Sequence, residues 1–310
     1  MRIVTPSRVH ITLIDLNASI GRMDGGIGLA LEAPAIKIRA RARDEISIKG
    51  PLKERAEDAA KRMLSALKID SGIEVEIEDA YPQHIGLGSG TQLALAVSKA
   101  ICSIYDVEIP VREMARIVGR GGTSGIGTAA FETGGFILDG GHSTTEKRDF
   151  LPSSASKAPP APLLARYDFP DWKIVLVMPQ AREISGGREV GIFKKYCPIP
   201  IEEVRELSLL VLMKVLPAVA EGDIVAFGDA VNQIQEIGFK RIEVDLQTQA
   251  VKELMHRCRE HAYGVGLSSF GPTIYCVVEK EGELLDFLKE EGVEALVTKA
   301  NNQGAIVKEL

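Results

Sequence analysis

Residues 84–92, HIGLGSGTQ, set three glycines, Gly86, Gly88 and Gly90, between a strand-patterned segment and a helix-patterned one. Glycine has no Cβ, so such a loop turns sharply and brings bare backbone close to whatever lies against it. Leu93, Val97, Ala100, Ile101 and Ile104 follow at helical spacing, which predicts a helix starting near residues 89–92. The unpaired N–H groups and positive dipole end of that helix favour an anion, and the hydroxyls of Ser89 and Thr91 can donate to it or cap the helix. A strand, a phosphate-sized cradle and a helix is therefore the arrangement this part of the chain must accommodate. The loop is not a Walker A sequence, which needs Lys after its last glycine, nor a dinucleotide fingerprint with an acid about 20 positions on. Taken alone, the nine residues fit a ligand-free glycine turn equally well.

Strand and helix patterns extend on both sides. Val9, Ile11 and Leu13 alternate, as do Ile36 and Ile38, and GIEVEIED has the same period. Leu52, Ala56, Ala59, Met63, Leu64 and Leu67 mark an amphipathic helix. GGFILDGG predicts a short strand, and LPSSASKAPPAP reads as a linker or long loop. With 310 residues, two domains are expected, divided there into 1–160 and 161–310. Beyond the linker come a strand at WKIVLVMP, helical patterns at 202–220, 223–238 and 246–262, a glycine turn and strand at GVGLSSFGPTIYCVVE, a short helix and a last strand at EALVTK. Clustered strands and helices without steady alternation indicate an α+β fold.

Composition removes several classes of function. The net charge of −6 offers no broad attraction to DNA or RNA. The four cysteines lie far apart with no CxxC pair, so neither a zinc site nor a disulfide framework is expected. The opening MRIVTPSRVH lacks the apolar run of a signal peptide, and LSLLVLM is too short to span a membrane, so the expectation is a reduced, cytoplasmic, soluble protein.

Ionisable groups concentrate near the start. Arg8, His10, Asp15, Asn17, Arg22 and Asp24 surround predicted strands and a glycine-rich turn, more charge than a turn requires. Each has a plain alternative: His10 as a satisfied strand histidine, and Asp24-Gly25-Gly26 as a hairpin turn. His142, beside Asp139 in FILDGGHS, fits an exposed loop histidine at least as well as a proton shuttle.

YPQHIGLGSGTQLALA, through Pro82, Gly86, Leu87, Gly88 and Ser89, resembles the phosphate loop of the GHMP group of small-molecule kinases. GLSSFGPTIYCVV resembles the group's third motif. The resemblance implies a GHMP kinase-like two-domain α+β fold: an N-terminal phosphate-binding α/β domain and a ferredoxin-like C-terminal one. In those kinases a Ser-Gly-x-Asp stretch often supplies the carboxylate that orients the attacking hydroxyl. Here Ser124, Gly125 and Ile126 are followed by Gly127, which cannot accept a proton.

Three blocks, SRVHITLIDLNASIGRMDGGIGLALEAP, GGTSGIGTAAFETGGFILDGGH and GLSSFGPT, narrow the resemblance to the β-ribofuranosylaminobenzene 5′-phosphate synthase family, a non-kinase branch. It implies a decarboxylating pentosyltransferase of methanopterin biosynthesis. Such an enzyme joins the ribose 5-phosphate of phosphoribosyl pyrophosphate to 4-aminobenzoate or 4-hydroxybenzoate, releasing CO2 and pyrophosphate, with Mg2+ carried by the pyrophosphate. A carboxylate beneath ribose C1 would steady the positive charge that develops as pyrophosphate leaves; Asp15 is the first candidate and Asp24 the second. On this resemblance Arg22 clamps pyrophosphate or the benzoate group, and Arg8 or Arg188 the 5-phosphate. The loop Gly86, Gly88, Ser89, Gly90 and Thr91 grips a donor phosphate, and His10, Thr123, Ser124 and Gly125 complete the substrate contacts. No direct metal ligand is identified, and a homodimer is compatible with the superfamily. The competing readings are an ATP-using GHMP kinase and a non-catalytic binder on the same fold.

Overall fold

The computed structural model describes residues 1–153, 155–179 and 186–309. β1 (Arg2–Asp15) and β2 (Arg22–Arg43) form a long antiparallel pair, and the alternating Val9, Ile11 and Leu13 are all buried. The chain continues through β3 (Ser47–Lys49), α1 (Lys53–Leu67), β4 (Gly72–Asp79), α2 (Ser89–Ile104), α3 (Val111–Ile117), α4 (Ile126–Glu132), β5 (Phe136–Asp139), β6 (His142–Ser143) and β7 (Leu163–Tyr167). The amphipathic spacing of α1 buries Ala56, Ala59, Ala60, Met63 and Leu64, and each large side chain removed from water there contributes about 1.5–3 kcal/mol. Lys68 in the left-handed conformation ends that helix, donating back to the carbonyls of Leu64 and Ser65.

Asp24-Gly25-Gly26 is not a hairpin turn. The chain reverses at residues 16–21, and Asp24 (φ 66°) and Gly25 (φ 67°) form a kink inside β2. Asp is among the side chains that tolerate this left-handed region. The kink divides β2: Arg22 and Met23 pair with β6, whereas Gly26 to Leu29 pair with β5.

The second half contains β8 (Lys173–Val177), then α5 (Gly187–Tyr196), α6 (Ile201–Leu210), a π-helical segment (Val211–Val215), α7 (Leu216–Glu221), α8 (Ile224–Ile234), α9 (Gly238–Asp245) and α10 (Gln249–Cys258). It closes with β9 (Gly264–Leu267), β10 (Ile274–Val278), α11 (Gly282–Glu290), β11 (Ala295–Lys299) and β12 (Ile306–Lys308). Strands β8 to β11 form an antiparallel sheet in the order β11-β8-β10-β9, the ferredoxin-like arrangement expected.

The chain crosses the expected division at 160/161 twice. β7 pairs with β5, and β12 pairs with β1, so both complete the first sheet, ordered β12-β1-β2-β4-β3 with β5 and β6 against β2. Phe136 of the first sheet stacks with Phe169, which meets Trp172 edge-on at 5.0 Å, and Phe227 of α8 joins them. Aromatic pairs in such geometries add about 0.5–1.5 kcal/mol beyond their buried area. One apolar core thus spans both sheets. Among the described residues, no helix is long and apolar enough to cross a membrane.

Candidate active site

The glycine loop is held from two sides. Gly86 lies at φ 89°, and a side chain on it would collide with the carbonyl oxygen of Ser268. Gly88, at φ 82°, leaves room for the Arg8 guanidinium, which a Cβ would meet at 3.2–3.3 Å. From β1, Arg8 donates its backbone N–H to Leu87 O at 3.1 Å and its Nη1 to Gly86 O. From the β9–β10 turn, Ser268 Oγ donates to Gly86 O at 2.8 Å while accepting the His10 N–H at 3.0 Å. Loop, strand β1 and the distant β9–β10 turn therefore converge on one spot.

Beside it is a cavity of about 170 Å³. Arg8, His10, Thr91, Thr123, Ser124 and Gly127 supply its polar side, Leu13, Phe193 and Phe270 an apolar wall, and Glu243 a carboxylate. Larger grooves, of about 390 and 640 Å³, lie along Phe169 and Lys299 and along Met178 and Glu294, away from the glycine loop and from these polar groups. His10 is 7% exposed and its Nδ1 has no hydrogen-bond partner. Burial, reinforced by the charges of Arg8 and Lys240, holds its pKa well below the usual histidine value, so the ring is neutral. A buried polar nitrogen without a partner costs free energy that a ligand can recover.

Lys240 and Glu243, one turn apart on α9, were not anticipated. Lys240 is fully buried, pairs with Glu243 and donates to Leu267 O at 3.0 Å. Burial pushes Lys240 down and Glu243 up, and lowers Arg8 to about 10. Behind the cavity wall the Glu243 carboxylate thus meets the fields of two cationic side chains, Lys240 and Arg8.

Asp139 organises the opposite edge. Its Oδ2 accepts from Ser124 Oγ at 3.0 Å and Gly125 N at 2.9 Å, and its Oδ1 from Gly141 N at 3.0 Å. Burial raises its pKa to about 6, above the ordinary 3.8, although those three donors pull the other way. Between those two values the folded protein binds more protons than the unfolded chain, so stability falls as pH rises through the window. Urea unfolding measured from pH 4 to 7 is expected to show this decline, and Asp139→Asn to flatten it; an unchanged slope would assign the decline to other groups.

The structure brings together Arg8, His10, Thr91, Thr123 and Ser124. Gly86, Gly88, Ser89, Gly90 and Gly125 shape the backbone without belonging to the cavity wall. Ser89 is buried and its hydroxyl donates to Pro82 O at 3.3 Å, so the helix cap falls to Gly88 and Ser89 is turned away from an anion in the cavity. Asp15 is half-buried, and its Oδ1 accepts from the N–H groups of Asn17 and Ala18 at 2.8 and 2.9 Å, shaping the β1–β2 turn. Arg22 is exposed and donates to Gly140 O and Gly141 O at 2.9 and 3.0 Å. Arg188 lies exposed on α5.

Asp24 does not face the cavity. It is buried between His142 Nδ1 at 2.6 Å and Lys147 Nζ at 2.8 Å, and His142 is accordingly a buried hydrogen-bond partner in β6 rather than an exposed loop histidine. His142 Nε2 lies 2.8 Å from Pro159 O, and Lys147 Nζ lies 3.1 Å from Leu151 O and 3.4 Å from Thr123 Oγ1, so the two side chains tie Pro159 and Leu151 to this spot.

Two family models match parts of this framework: GHMP kinases N terminal domain over residues 54–135 and GHMP kinases C terminal over residues 215–294. The chain is 50% identical to the beta-ribofuranosylphenol 5'-phosphate synthase of Archaeoglobus fulgidus, covering 99% of both proteins. It is 48% identical to the enzyme of the same name from Methanocaldococcus jannaschii, covering 98% of this chain and 99% of that one. Among solved structures, the mevalonate kinase of Methanococcus jannaschii superimposes with a TM-score of 0.71 at 17% identity, covering 97% of this chain and 98% of that one. A homoserine kinase from Cytophaga hutchinsonii does so at 0.66 and 16%, covering 99% and 97%. At these identities the kinases share the fold.

Proposed function

The chain belongs to the beta-ribofuranosylphenol 5'-phosphate synthase family, and from that premise we propose that it joins ribose 5-phosphate to an aromatic acid, with loss of CO2 and pyrophosphate. It is a transferase of the pentosyl class. The proposed donor is phosphoribosyl pyrophosphate. The names of the relatives carry a phenol, which favours 4-hydroxybenzoate over 4-aminobenzoate as acceptor. An early step of methanopterin synthesis is the place such a product would enter.

One observation carries the reading: the glycine loop lies beside a cavity with an aromatic wall, Phe193 and Phe270, while the position used by a kinase carboxylate is Gly127. A Cβ on Gly127 would already stand 3.2 Å from Thr91 Cγ2, so a longer acidic side chain has little room. The aromatic wall suits a flat acceptor ring. Arg8 and the hydroxyl of Thr91 suit the sugar phosphate, while Thr123 and Ser124 spend their hydroxyl protons on Leu151 O and Asp139 Oδ2 and shape the wall.

In the proposed reaction the ring carbon bearing the carboxylate attacks ribose C1 as the C1–O bond to pyrophosphate breaks. The C–CO2 bond then breaks, and its electron pair restores the ring. Asp15, one pleat beyond the cavity-lining Leu13 on the same face of β1, is the carboxylate proposed to answer the charge at C1. Asp24 is released from that role by its pairing with Lys147 and His142. Among the described residues no group of three or more His, Cys, Asp or Glu could hold a metal ion. Mg2+ is proposed to arrive on the donor's diphosphate.

Incubation with phosphoribosyl pyrophosphate, Mg2+ and carboxyl-labelled 4-hydroxybenzoate is expected to release labelled CO2 in step with pyrophosphate. Retained label, with ADP formed from ATP and a small alcohol, would overturn the reading in favour of a kinase.

A further inference from the structure

Outside the cavity, three arginines gather around the first turn of α2 and the turn after α3, with one acid, Asp58, among them. A side chain on Gly90 would fall on Nη1 of Arg55, and its Cβ would stand 3.4 Å from Nη2 of Arg120. Arg55 comes from α1 and Arg120 from the turn after α3, so elements far apart in sequence aim their guanidinium groups at one point. Arg62 approaches the same turn, its Nη1 3.1 Å from where a Cβ on Gly119 would lie. Arg62 has an acidic partner, Asp58, at 2.9 Å. Among the described residues Arg55 and Arg120 have neither a hydrogen-bond nor an ion-pair partner, and Arg120 Nε is sealed from solvent without an acceptor.

Like charges held this close repel, the more so where burial weakens screening. Burial first, then the charges of Arg55 and Arg62, bring Arg120 down to about 10, with the Asp58 carboxylate pulling the other way. A polyanion would relieve the repulsion and supply the missing acceptors. Guanidinium forks match phosphate oxygens in pairs, and the N–H groups of Ser89 and Gly90, first in a 16-residue helix, have no intrahelical acceptor. Gly121, next to Arg120, lines the cavity, so this cluster adjoins the cavity's rim.

We propose that Arg55, Arg120 and the first turn of α2 form a diphosphate site distinct from the Arg8 end of the cavity. Its identification with the donor's pyrophosphate rests on the proposed function. The donor then lies with its 5-phosphate toward Arg8 and its diphosphate toward the arginine cluster, which retains pyrophosphate as a product.

The test is calorimetric titration of the full chain with inorganic pyrophosphate, orthophosphate and ribose 5-phosphate, none of which requires turnover. The wild type is expected to bind pyrophosphate at least tenfold more tightly than orthophosphate. Arg55→Glu should weaken pyrophosphate at least tenfold while leaving ribose 5-phosphate within twofold. Arg120→Gln should act in the same direction; if it fails to fold, the half-buried Arg55 carries the test. Failure of the wild type to bind pyrophosphate, unchanged pyrophosphate affinity in Arg55→Glu, or equal loss of both ligands overturns the site. A protein that passes yet releases no labelled CO2 overturns the proposed function and leaves the site standing; one that releases CO2 while Arg55→Glu keeps its pyrophosphate affinity overturns the site alone.

Discussion

Replacing Asp24 with Ala is expected to cost about 3–5 kcal/mol of folding stability, because it strands a buried Lys147 charge and a buried His142 ring without their common partner. Equilibrium urea unfolding reads this directly. The double variant Asp24→Leu with Lys147→Met should recover much of the loss, since apolar replacement of a buried ion pair is often close to neutral. A role in chemistry makes the opposite forecast: Asp24→Ala would unfold at the wild-type urea concentration and lose only turnover. Stability unchanged within about 0.5 kcal/mol would return Asp24 to the catalytic candidates.

Arg8→Gln is expected to lower kcat/KM for the phosphoribosyl donor about a hundred- to thousandfold, the usual scale for removing one aimed charge from a reacting centre. Two effects combine. The guanidinium both faces the cavity and pins Gly86 O, so its removal takes away a phosphate partner and loosens the loop that supplies others. Arg8→Lys should rescue little, because a single ammonium cannot reproduce the planar fork. Steady-state kinetics on folded variants decides the matter; a kcat/KM within tenfold of wild type would place the donor's phosphate elsewhere.

What could be read from the residues follows from how much periodic signal each element carries. β1, α1 and α2 span several repeats of their own period, and the glycines of the loop announce a turn whatever surrounds them. Helices α3, α4, α5 and α9 run only seven to ten residues, two turns or so, and two turns rarely separate from noise. β12 is three residues long and β7 is a largely uncovered edge, so neither marked its return to the first sheet.

The site was legible where backbone chemistry dictated it and obscure where burial did. Arg8, His10, Thr123 and Ser124 stood out by residue type, and all four line the cavity. Lys240 and Glu243, spaced three apart, look like a solvated helix face; only the packing of α9 beneath the β9–β10 turn makes them interior charges. Asp24 misled for the converse reason. An acid in a glycine-rich run resembles a catalyst until the chain folds a lysine and a histidine from residues 142–147 onto it.

The joint between His10 and the residues at 268–269 has an effect on the order of events during synthesis. A nascent chain that has emerged as far as residue 260 can own every strand of the amino-terminal hairpin and still possess no floor beneath Gly86. The seat beneath Gly86 is therefore complete only after the second half closes against the first. Two separately expressed pieces cut between these segments would each be blank, and reassociation alone would bring the reaction back.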